Sequence, residues 1–588
     1  MSWIIISRKE VKGLIVVAIL SWTILPPYCV QSVGVYNGLT PKETAVTALV
    51  NGSQAYLYDM HLENIALSHS AFRSAGSPGA NEAADWIAAQ FESFGLKVEK
   101  EEFSFVNWDL ISQPTLVLDD DGDIGTTDDQ IGIESFQATH YSWPTPTGGV
   151  FADLVVLPLP AAADRSQIGV NPIDTAAWSG VDTAGKVVLI GREVRWDLAW
   201  RETYRAKLSV QPPKAIIYTW WYDWMAFVPD YFSSAGGRPL SPDVPGAYYW
   251  TLEIPVGFAN YDEGLLIRTR EASVDVWAKV VIDAVVDVGP HYNVVAKLTG
   301  YGGPEQSVIV SGHYDTVMTA GFCDNGAGTA GVLELARVFT DAVDNGVYYP
   351  KYTIIFVAFA SEEIGLIGSI NYVMRHESQM EDIVAVINMD CIGSDYLYAT
   401  ETTPTSGFDL DELVVEAASD LGISAMFLEP GGSDQEVFRN PVVGNNIYSW
   451  YWEMNAGLDD ATPVESSTML ISYPLVYGDK WNMETPGWIH TSYDNSTSTE
   501  TLNWVEADDL ADHMKVAALT VIRVSPSSLR ADLNQDGEVT IQDLFIVAKA
   551  FGAEPGDDNW NAVADIDKNS IVNIRDLYEV AKDYGKTV

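Results

Sequence analysis

Three short runs of residues between Ser307 and Gly368 could bind metal ions and activate water. They are Gly312-His313-Tyr314-Asp315, Cys323-Asp324-Asn325-Gly326 and Ser361-Glu362-Glu363. Two more candidate ligands, Asp390 and His490, follow further along the chain. Imidazole nitrogens and carboxylate oxygens are common zinc ligands, and a hydrolytic zinc site also uses a carboxylate that accepts a proton from water. Together these residues predict a hydrolytic metal centre with one additional glutamate that could act as the base.

The spacing of these side chains suggests a role for each. Asp315 lies two residues after His313, where it can accept a hydrogen bond from the imidazole and orient it. Asp324 lies at the mouth of a glycine-rich turn, and a carboxylate there could bridge two cations. Glu362 and Glu363 are consecutive, so their side chains diverge, and one can bind metal while the other faces the reacting water.

Buried strands are predicted directly before three of these sites. The apolar runs are 307–311, 353–360 and 384–389, and each ends close to a candidate ligand or base. In open α/β sheets, functional side chains collect in loops at the carboxyl ends of strands. Helices are predicted at 55–67, 81–94, 326–339, 411–421 and 504–521. This alternation predicts an α/β fold with a mostly parallel sheet covered by helices on both faces.

The chain is too long for one compact domain, and its residue pattern changes at two places along the sequence. Residues 145–275 alternate short β-like runs with Pro and Gly, which predicts an inserted β-rich module whose many aromatic side chains are mostly core. The flanking segments 40–144 and 276–524 are then two parts of one domain. Pro526 lies in a short linker, after which residues 525–588 form a separate tail.

An internal repeat in this tail predicts two calcium sites. Short oxygen-bearing side chains recur at the spacing of a calcium loop, and the second copy starts 33 residues after the first. The predicted ligands are Asp532, Asn534, Asp536, Glu538, Thr540 and Asp543 in the first copy, and Asp565, Asp567, Asn569, Ile571, Asn573 and Asp576 in the second. Gly537 permits the sharp turn of the first loop, whereas Ser570 replaces it in the second. A helix is predicted after each loop, at 544–551 and 577–584.

Charge and composition exclude several classes of partner. The formal net charge is -48, which argues against nucleic acid and against docking to anionic lipid. Residues 1–30 join basic side chains to a short apolar run, which predicts a signal peptide and a secreted or cell-surface protein. An uncleaved membrane anchor is the alternative for this segment. An acidic loop at 119–129 is interpreted as solvated, although its spacing is loosely similar to a calcium loop.

Three cysteines are too few for a disulfide framework. Cys323 and Cys391 each adjoin a predicted metal ligand, which favours small core residues packed under the site. A single bridge between these two cysteines is the alternative, if the two loops touch.

The motif set resembles the di-zinc aminopeptidases of metallopeptidase family twenty-eight. The resemblance covers about residues 55–525 apart from the insert, and it implies a zinc-exopeptidase fold with a mixed sheet sandwiched by helices. It also implies that His313 and Asp390 bind one zinc ion, that Glu363 and His490 bind the other, that Asp324 bridges them, and that Glu362 is the general base. The implied function is removal of N-terminal residues from peptides.

The other two modules also resemble known domains. The insert resembles a protease-associated domain, chiefly through Gly185-Lys186-Val187-Val188-Leu189-Ile190. The tail resembles a dockerin, which implies two calcium ions and a cohesin-like scaffold protein as partner. One departure from the peptidase family is Gln435, which stands after Ser433-Asp434 where relatives often have a histidine, and it leaves the substrate-side pocket open to question.

Other functions share parts of this pattern. A related amidohydrolase family has a similar His-x-Asp and Glu-Glu pattern, but its extra domain follows the glutamate pair, whereas this insert precedes His313. A receptor-like relative without catalysis would have lost metal ligands. A glutaminyl-cyclase-like enzyme uses one zinc ion. The sequence also leaves open whether the enzyme acts as an aminopeptidase, a carboxypeptidase or a dipeptidase.

Overall fold

A computed structural model gives the fold of the chain. It describes residues 38–127, 129–139, 142–157, 180–191, 210–219, 237–239, 248–250, 254–301, 306–400, 408–428, 432–441, 458, 462–464, 466–473, 494–497, 505–526, 531–534, 538–557, 559–566 and 570–586. The predicted signal peptide at 1–30, the predicted zinc ligand His490 and most of the aromatic-rich stretch between Trp196 and Trp250 lie outside the described residues.

Eight strands form the sheet whose loops carry the predicted metal ligands. They are β1 (Lys97–Leu110), β12 (Ala284–Leu298), β13 (Ser307–His313), β14 (Thr353–Phe359), β15 (Ile383–Met389), β16 (Tyr396–Thr400), β17 (Ala425–Leu428) and β18 (Ser467–Tyr473), in the order β1-β12-β14-β13-β15-β18-β16-β17. The four central strands β14, β13, β15 and β18 are parallel, and β1 and β12 join them antiparallel. Every residue of β13 and β14 is buried, as expected for strands covered on both faces.

Helices pack around this sheet. They are α1 (Pro41–Thr47), α2 (Gly52–Ser68), α3 (Pro78–Ser93), α5 (Gly328–Asp344), α6 (Ile367–Arg375), α7 (Leu410–Leu421), α8 (Gln435–Arg439) and α9 (Ala507–Val524). Helix α5 contacts β13, β14 and β15, and it also packs against α2. The predicted α/β architecture is therefore confirmed. The helices predicted from periodicity all form, with ends that differ by a few residues because capping side chains such as Asn51 and Ser77 set where they begin.

A second sheet of eight strands forms the inserted module. Its strands are β2 (Thr115–Asp119), β3 (Ile131–Ile133), β4 (Gln137–Ala138), β5 (Val150–Val156), β6 (Val187–Gly191), β7 (Ala215–Thr219), β10 (Val256–Ala259) and β11 (Trp277–Val281). Helix α4 (Tyr261–Glu271) and a separate pair, β8 (Gly237–Pro239) and β9 (Tyr248–Trp250), complete its described elements.

The insert is longer than the predicted 145–275. Strands β1 and β12 pair without interruption up to Leu110 and Ala284, so the chain leaves and re-enters the first sheet at the end of one antiparallel ladder. Strands β2, β3 and β4 lie in the segment 40–144 that was predicted to belong to the flanking domain, but they pair within the second sheet. The boundary of the insert depends on which strands pair with each other, and the local sequence does not encode this pairing. The resemblance to a protease-associated domain stays a prediction.

The tail forms a small helical unit around its own core. Helices α10 (Ile541–Ala550) and α11 (Ile574–Asp583) follow the two predicted calcium loops and pack together. Their shared core includes Val547 and Val580, which lie 33 residues apart like the loops themselves. Among the described residues, no helix combines the length and the apolar character needed to cross a membrane.

Gly368 lies where α6 packs closely against the residue that follows β14, so a substitution there tests this close packing. A Cβ atom at this position would lie 2.0 Å from the backbone oxygen of Ala360, directly after β14. We expect Gly368→Ala to lower the free energy of unfolding by about 1–3 kcal/mol, the usual cost of overpacking a close contact. Denaturant unfolding measures this. Gly132→Ala is the control because nothing lies within 4 Å of its Cβ position, and its change should stay within about 0.5 kcal/mol. Equal effects of the two substitutions would contradict the prediction.

Candidate metal centre

His313 is the last residue of β13 and is fully buried. Its Nδ1 atom donates a hydrogen bond to the backbone oxygen of Asp315, 3.1 Å away. The hydroxyl of Thr329 in α5 donates to the backbone oxygen of His313 at 2.7 Å. Because Nδ1 donates to this carbonyl, Nε2 is the nitrogen that remains available to a metal ion.

The Nε2 atom of His313 is surrounded by carboxylates. It lies 3.3 Å from Asp324 Oδ1, 3.4 Å from Asp390 Oδ1 and 3.9 Å from Glu362 Oε2. None of these contacts has hydrogen-bond geometry, so a buried nitrogen is left without a partner. Burial alone would lower the pKa of His313, but Glu362 and Asp390 raise it well above its usual range. A nitrogen and oxygen donor set with this excess of negative charge suits zinc.

The predicted ligands meet in two overlapping groups. His313, Asp324 and Glu363 have ligand atoms within 4.8 Å of one another, and so do His313, Glu362 and Asp390. The loops after β13, β14 and β15 deliver them, because the carboxyl ends of these neighbouring parallel strands share one edge of the sheet. The described residues thus bring together every predicted zinc ligand except His490.

Asp324 lies in an irregular turn, Phe322–Ala327, before α5. Its backbone N–H and that of Cys323 both donate to the carboxylate of Asp494, at 3.2 and 2.6 Å. The next residue, Asn325, donates from its side chain to the backbone oxygen of Met389 at 2.9 Å. The turn is therefore fixed from two directions, by Asp494 and by the end of β15.

Asp315 acts differently from the prediction. Its carboxylate accepts hydrogen bonds from the backbone N–H groups of Glu362 and Glu363, at 3.0 and 3.3 Å, whereas its oxygen Oδ1 stays 3.8 Å from His313 Nδ1. The imidazole is oriented by the backbone carbonyl of Asp315 instead. One residue therefore orients the histidine by its main chain and the glutamate pair by its side chain, and sequence spacing alone could not separate these two contacts.

The glutamate pair follows a strained residue. Ser361 has a φ of 61°, in the left-handed region that a serine rarely adopts. Its hydroxyl is 2.7 Å from Nδ1 of His291 on β12, and burial lowers the pKa of His291 to about 3, so this imidazole is neutral. His291 was not anticipated from the sequence, because it precedes β13 and belongs to none of the motifs.

Glu362 and Glu363 lie in different surroundings. Glu363 is 2% exposed, and one of its oxygens accepts a hydrogen bond from the backbone N–H of Val317 at 3.3 Å. The side chain of Glu362 is 12% exposed and faces His313. Burial raises the pKa of Glu362 well above its usual range, and His313 offsets only part of this rise. These surroundings fit Glu363 as the ligand and Glu362 as the more accessible base.

Asp434 is a further buried acid beside the centre that sequence analysis did not assign. It is fully buried, and burial raises its pKa to about 7. Its neighbours Ser433 and Gln435 both accept hydrogen bonds from the side chain of Asn388, at 2.9 and 3.3 Å. Gln435, the departure noted in the sequence, thus contacts the end of β15.

Cys323 and Cys391 are both free and buried. Their thiols are in contact: the hydrogen bond from Cys391 would lower the pKa of Cys323, but burial and Asp494 raise it to about 11. Cys391 has a φ of 57° directly after Asp390. The structure therefore supports the interpretation of small core residues under the site, with no bridge formed.

The calcium loops are partly described, since Asp536, Asp567 and Asn569 lie outside the described residues. Asp543 accepts hydrogen bonds from the backbone N–H groups of Leu533 and Thr540, both at 2.7 Å. Asp576 accepts equivalent bonds in the second copy, again at 2.7 Å. Ser570, which replaces a glycine, has a φ of 66° and shows that the turn requires this conformation.

In the acidic loop after β2, backbone N–H groups of the loop donate hydrogen bonds to its own carboxylates. The backbone N–H of Gly122 donates to Asp119 at 2.7 Å, and that of Asp123 donates to Asp121 at 2.7 Å. Asp119, Asp121 and Asp129 have oxygens within 4.8 Å of one another. Asp121 is exposed, as expected for a solvated loop.

Comparison with known proteins agrees with this geometry. Residues 293–515 match the model of peptidase family M28, and residues 530–583 match that of the dockerin type I domain. An aminopeptidase of Pseudomonas aeruginosa is 27% identical over 336 residues, which are 57% of this chain and 56% of that protein. A probable zinc metalloprotease of Pyrenophora teres f. teres is 33% identical over 183 residues, covering 28% of this chain and 36% of that protein. The chain thus spans about half the length of the Pseudomonas relative.

Solved structures support the fold. BSAP, a zinc aminopeptidase from Bacillus subtilis, matches 82% of this chain and 97% of its own with a TM-score of 0.53 and 21% identity. An aminopeptidase from Aneurinibacillus sp. strain AM-1 matches 83% of this chain and 97% of its own, with a TM-score of 0.51 and 21% identity. Residues 293–515 thus match peptidase family M28 and residues 530–583 match the dockerin type I domain, while the solved structures show the fold.

Proposed function

We propose that this protein is a secreted zinc-dependent exopeptidase, an aminopeptidase that a C-terminal dockerin attaches to a cohesin-bearing scaffold. The observation that carries the peptidase assignment is the buried Nε2 atom of His313, which has no hydrogen-bond partner and faces three carboxylates. The family match and the aminopeptidase relatives support the same reading.

The proposed zinc ligands are His313 and Asp390 for one ion, Glu363 and His490 for the other, and Asp324 between them. Two bound zinc ions would polarise the peptide carbonyl and lower the pKa of water. Two further carboxylates position these side chains. Asp315 holds the glutamate pair in place, and Asp494 holds the turn that carries Asp324.

Glu362 is the proposed proton carrier. Hydrolysis of a peptide bond needs a base for the water proton and an acid for the departing amine. A carboxylate with a raised pKa that is partly open to solvent and not fixed by backbone N–H groups suits both steps.

The tail carries a surface that suits a protein partner. Three apolar pairs are exposed and lie 33 residues apart, so that each repeat presents the same side-chain pattern: Ile541 and Ile574, Phe545 and Tyr578, and Phe551 and Tyr584. Exposed aromatic and aliphatic side chains on paired helices are typical of an interaction surface. We assign this surface to the cohesin-like partner and two calcium ions to the loops.

A peptide panel tests the activity. We expect cleavage of peptides with a free N-terminus, no cleavage of N-acetylated peptides, and unchanged cleavage of C-amidated ones. A zinc chelator should abolish the activity and added zinc should restore it. Cleavage that instead requires a free C-terminus would identify a carboxypeptidase, and an inactive protein with full zinc content would favour a receptor-like relative.

Substitution of each glutamate separates ligand from base. Glu362→Gln should lower turnover about 100-fold or more, because the amide cannot accept a proton, while the zinc content stays near wild type. Glu363→Gln should lose zinc. Activity assays with elemental analysis measure both, and a saturated wild-type chain should hold two zinc ions. Loss of zinc from Glu362→Gln alone would reverse the two roles.

Calcium should control the tail without affecting catalysis. In a calcium chelator the clustered carboxylates of each loop lack a counter-charge, so the loops should lose order and partner binding. Hydrogen exchange and a cohesin pull-down on the full chain measure these effects. A chain that ends at Ser525 should keep its peptidase activity, since the predicted zinc ligands all precede this residue. Undiminished cohesin binding in excess chelator would refute the assignment.

A further inference from the structure

Asp494 makes an unusual pair of contacts for a buried acid. It is 3% exposed, and its two oxygens accept hydrogen bonds from the consecutive backbone N–H groups of Cys323 and Asp324, at 2.6 and 3.2 Å. Both oxygens thus hold the main chain of the turn that carries the proposed bridging ligand. The carboxylate belongs to none of the groups of candidate metal ligands among the described residues.

The position of Asp494 in the sequence gives this contact its importance. It follows His490, a proposed zinc ligand, by four residues in the sequence. Two residues later, the backbone N–H of Ser496 donates to Glu63 on α2 at 2.8 Å. Residues 494–497 are thus held both to the Asp324 turn and to α2.

Arg73 fixes the other side of the same turn. Its guanidinium donates to the backbone oxygens of Tyr314, Leu62, Ala320 and Gly321, at distances from 2.6 to 3.1 Å. Three of these acceptors lie between Tyr314 and Gly321, in the loop that connects His313 to the turn of Asp324. Arg73 also attracts Asp494 electrostatically, so the positive and negative side chains favour each other's buried positions.

We propose that Asp494 is a positioning residue of the metal centre, which holds the Asp324 turn in place without binding metal or substrate. The proposal rests on the proposed function, because it takes Asp324 as a ligand. Removing one acceptor leaves a buried N–H without a partner and lets the bridging carboxylate move. Because Asp324 serves both metal positions, the movement should weaken both.

The substitution Asp494→Asn in the full chain tests this role. The amide has nearly the same shape, but its NH₂ group cannot accept the second backbone N–H. We expect zinc affinity to fall about 10- to 100-fold, the usual effect of losing a group that orients metal ligands. We also expect the visible spectrum of the cobalt-substituted protein to change, since this spectrum reports ligand geometry. Zinc titration against a chromophoric chelator and absorption spectroscopy measure the two effects.

Glu334→Gln is the matched control. Glu334 is equally buried, lies on α5, and its carboxylate accepts a backbone N–H from Asn51 at 2.7 Å, but it contacts neither metal-bearing loop. It should lower thermal stability while leaving zinc affinity and the cobalt spectrum unchanged. A purely structural role for Asp494 would make the two variants behave alike.

The outcomes separate the proposal from the proposed function. Wild-type zinc affinity and an unchanged cobalt spectrum in Asp494→Asn would overturn the positioning role, and so would an equal loss of zinc in Glu334→Gln. A wild-type chain that binds two zinc ions but cleaves no peptide would refute the peptidase assignment, while loss of zinc in Asp494→Asn alone would still support the positioning role.

Discussion

The described part of the candidate metal centre depends on one buried arginine. The guanidinium of Arg73 donates to four backbone carbonyls from three parts of the chain, and the backbone of Arg73 also exchanges hydrogen bonds with Thr316. Burial lowers the pKa of Arg73, and nearby carboxylates, Asp59 foremost, offset part of this effect. Carbonyl oxygens and surrounding acids thus compensate a charge that would otherwise be costly to bury. The loop between His313 and Asp324 is fixed as a consequence.

The opposite charge is concentrated around His313. Asp315, Asp324, Asp390 and Asp434 are all buried near His313 with Glu362 and Glu363, an arrangement that would be unfavourable in the absence of cations. Burial raises the pKa of Asp315 to about 6 and that of Asp434 to about 7. Bound metal ions would relieve this repulsion, so metal affinity and the folding of these loops should be coupled.

The insert and the tail join the domain of the first sheet at separate points. The insert leaves and re-enters the first sheet between Leu110 and Ala284, on the side of the sheet where β14 ends and the loops with the candidate ligands lie. The tail follows Ser525, whose backbone oxygen and side chain bond to Tyr348 and Tyr352 at the end of α9. Its apolar core is separate from that of the catalytic domain.

The sequence by itself determined the residue types, the strand ends and the repeat. His313, Asp324, Glu363 and Asp390 could be named because each motif lies just after a buried apolar run or opens a helix, and the tail could be named because its loops recur at a fixed interval. These patterns involve residues that are close together in the sequence, so they can be recognised without knowledge of the fold. Only the tertiary structure decided which strands belong to the insert and which atom of Asp315 orients His313. It also revealed that Arg73, His291 and Asp494 support the loops of the candidate ligands, since hydrogen bonds between residues up to 248 positions apart leave no periodic trace in the sequence.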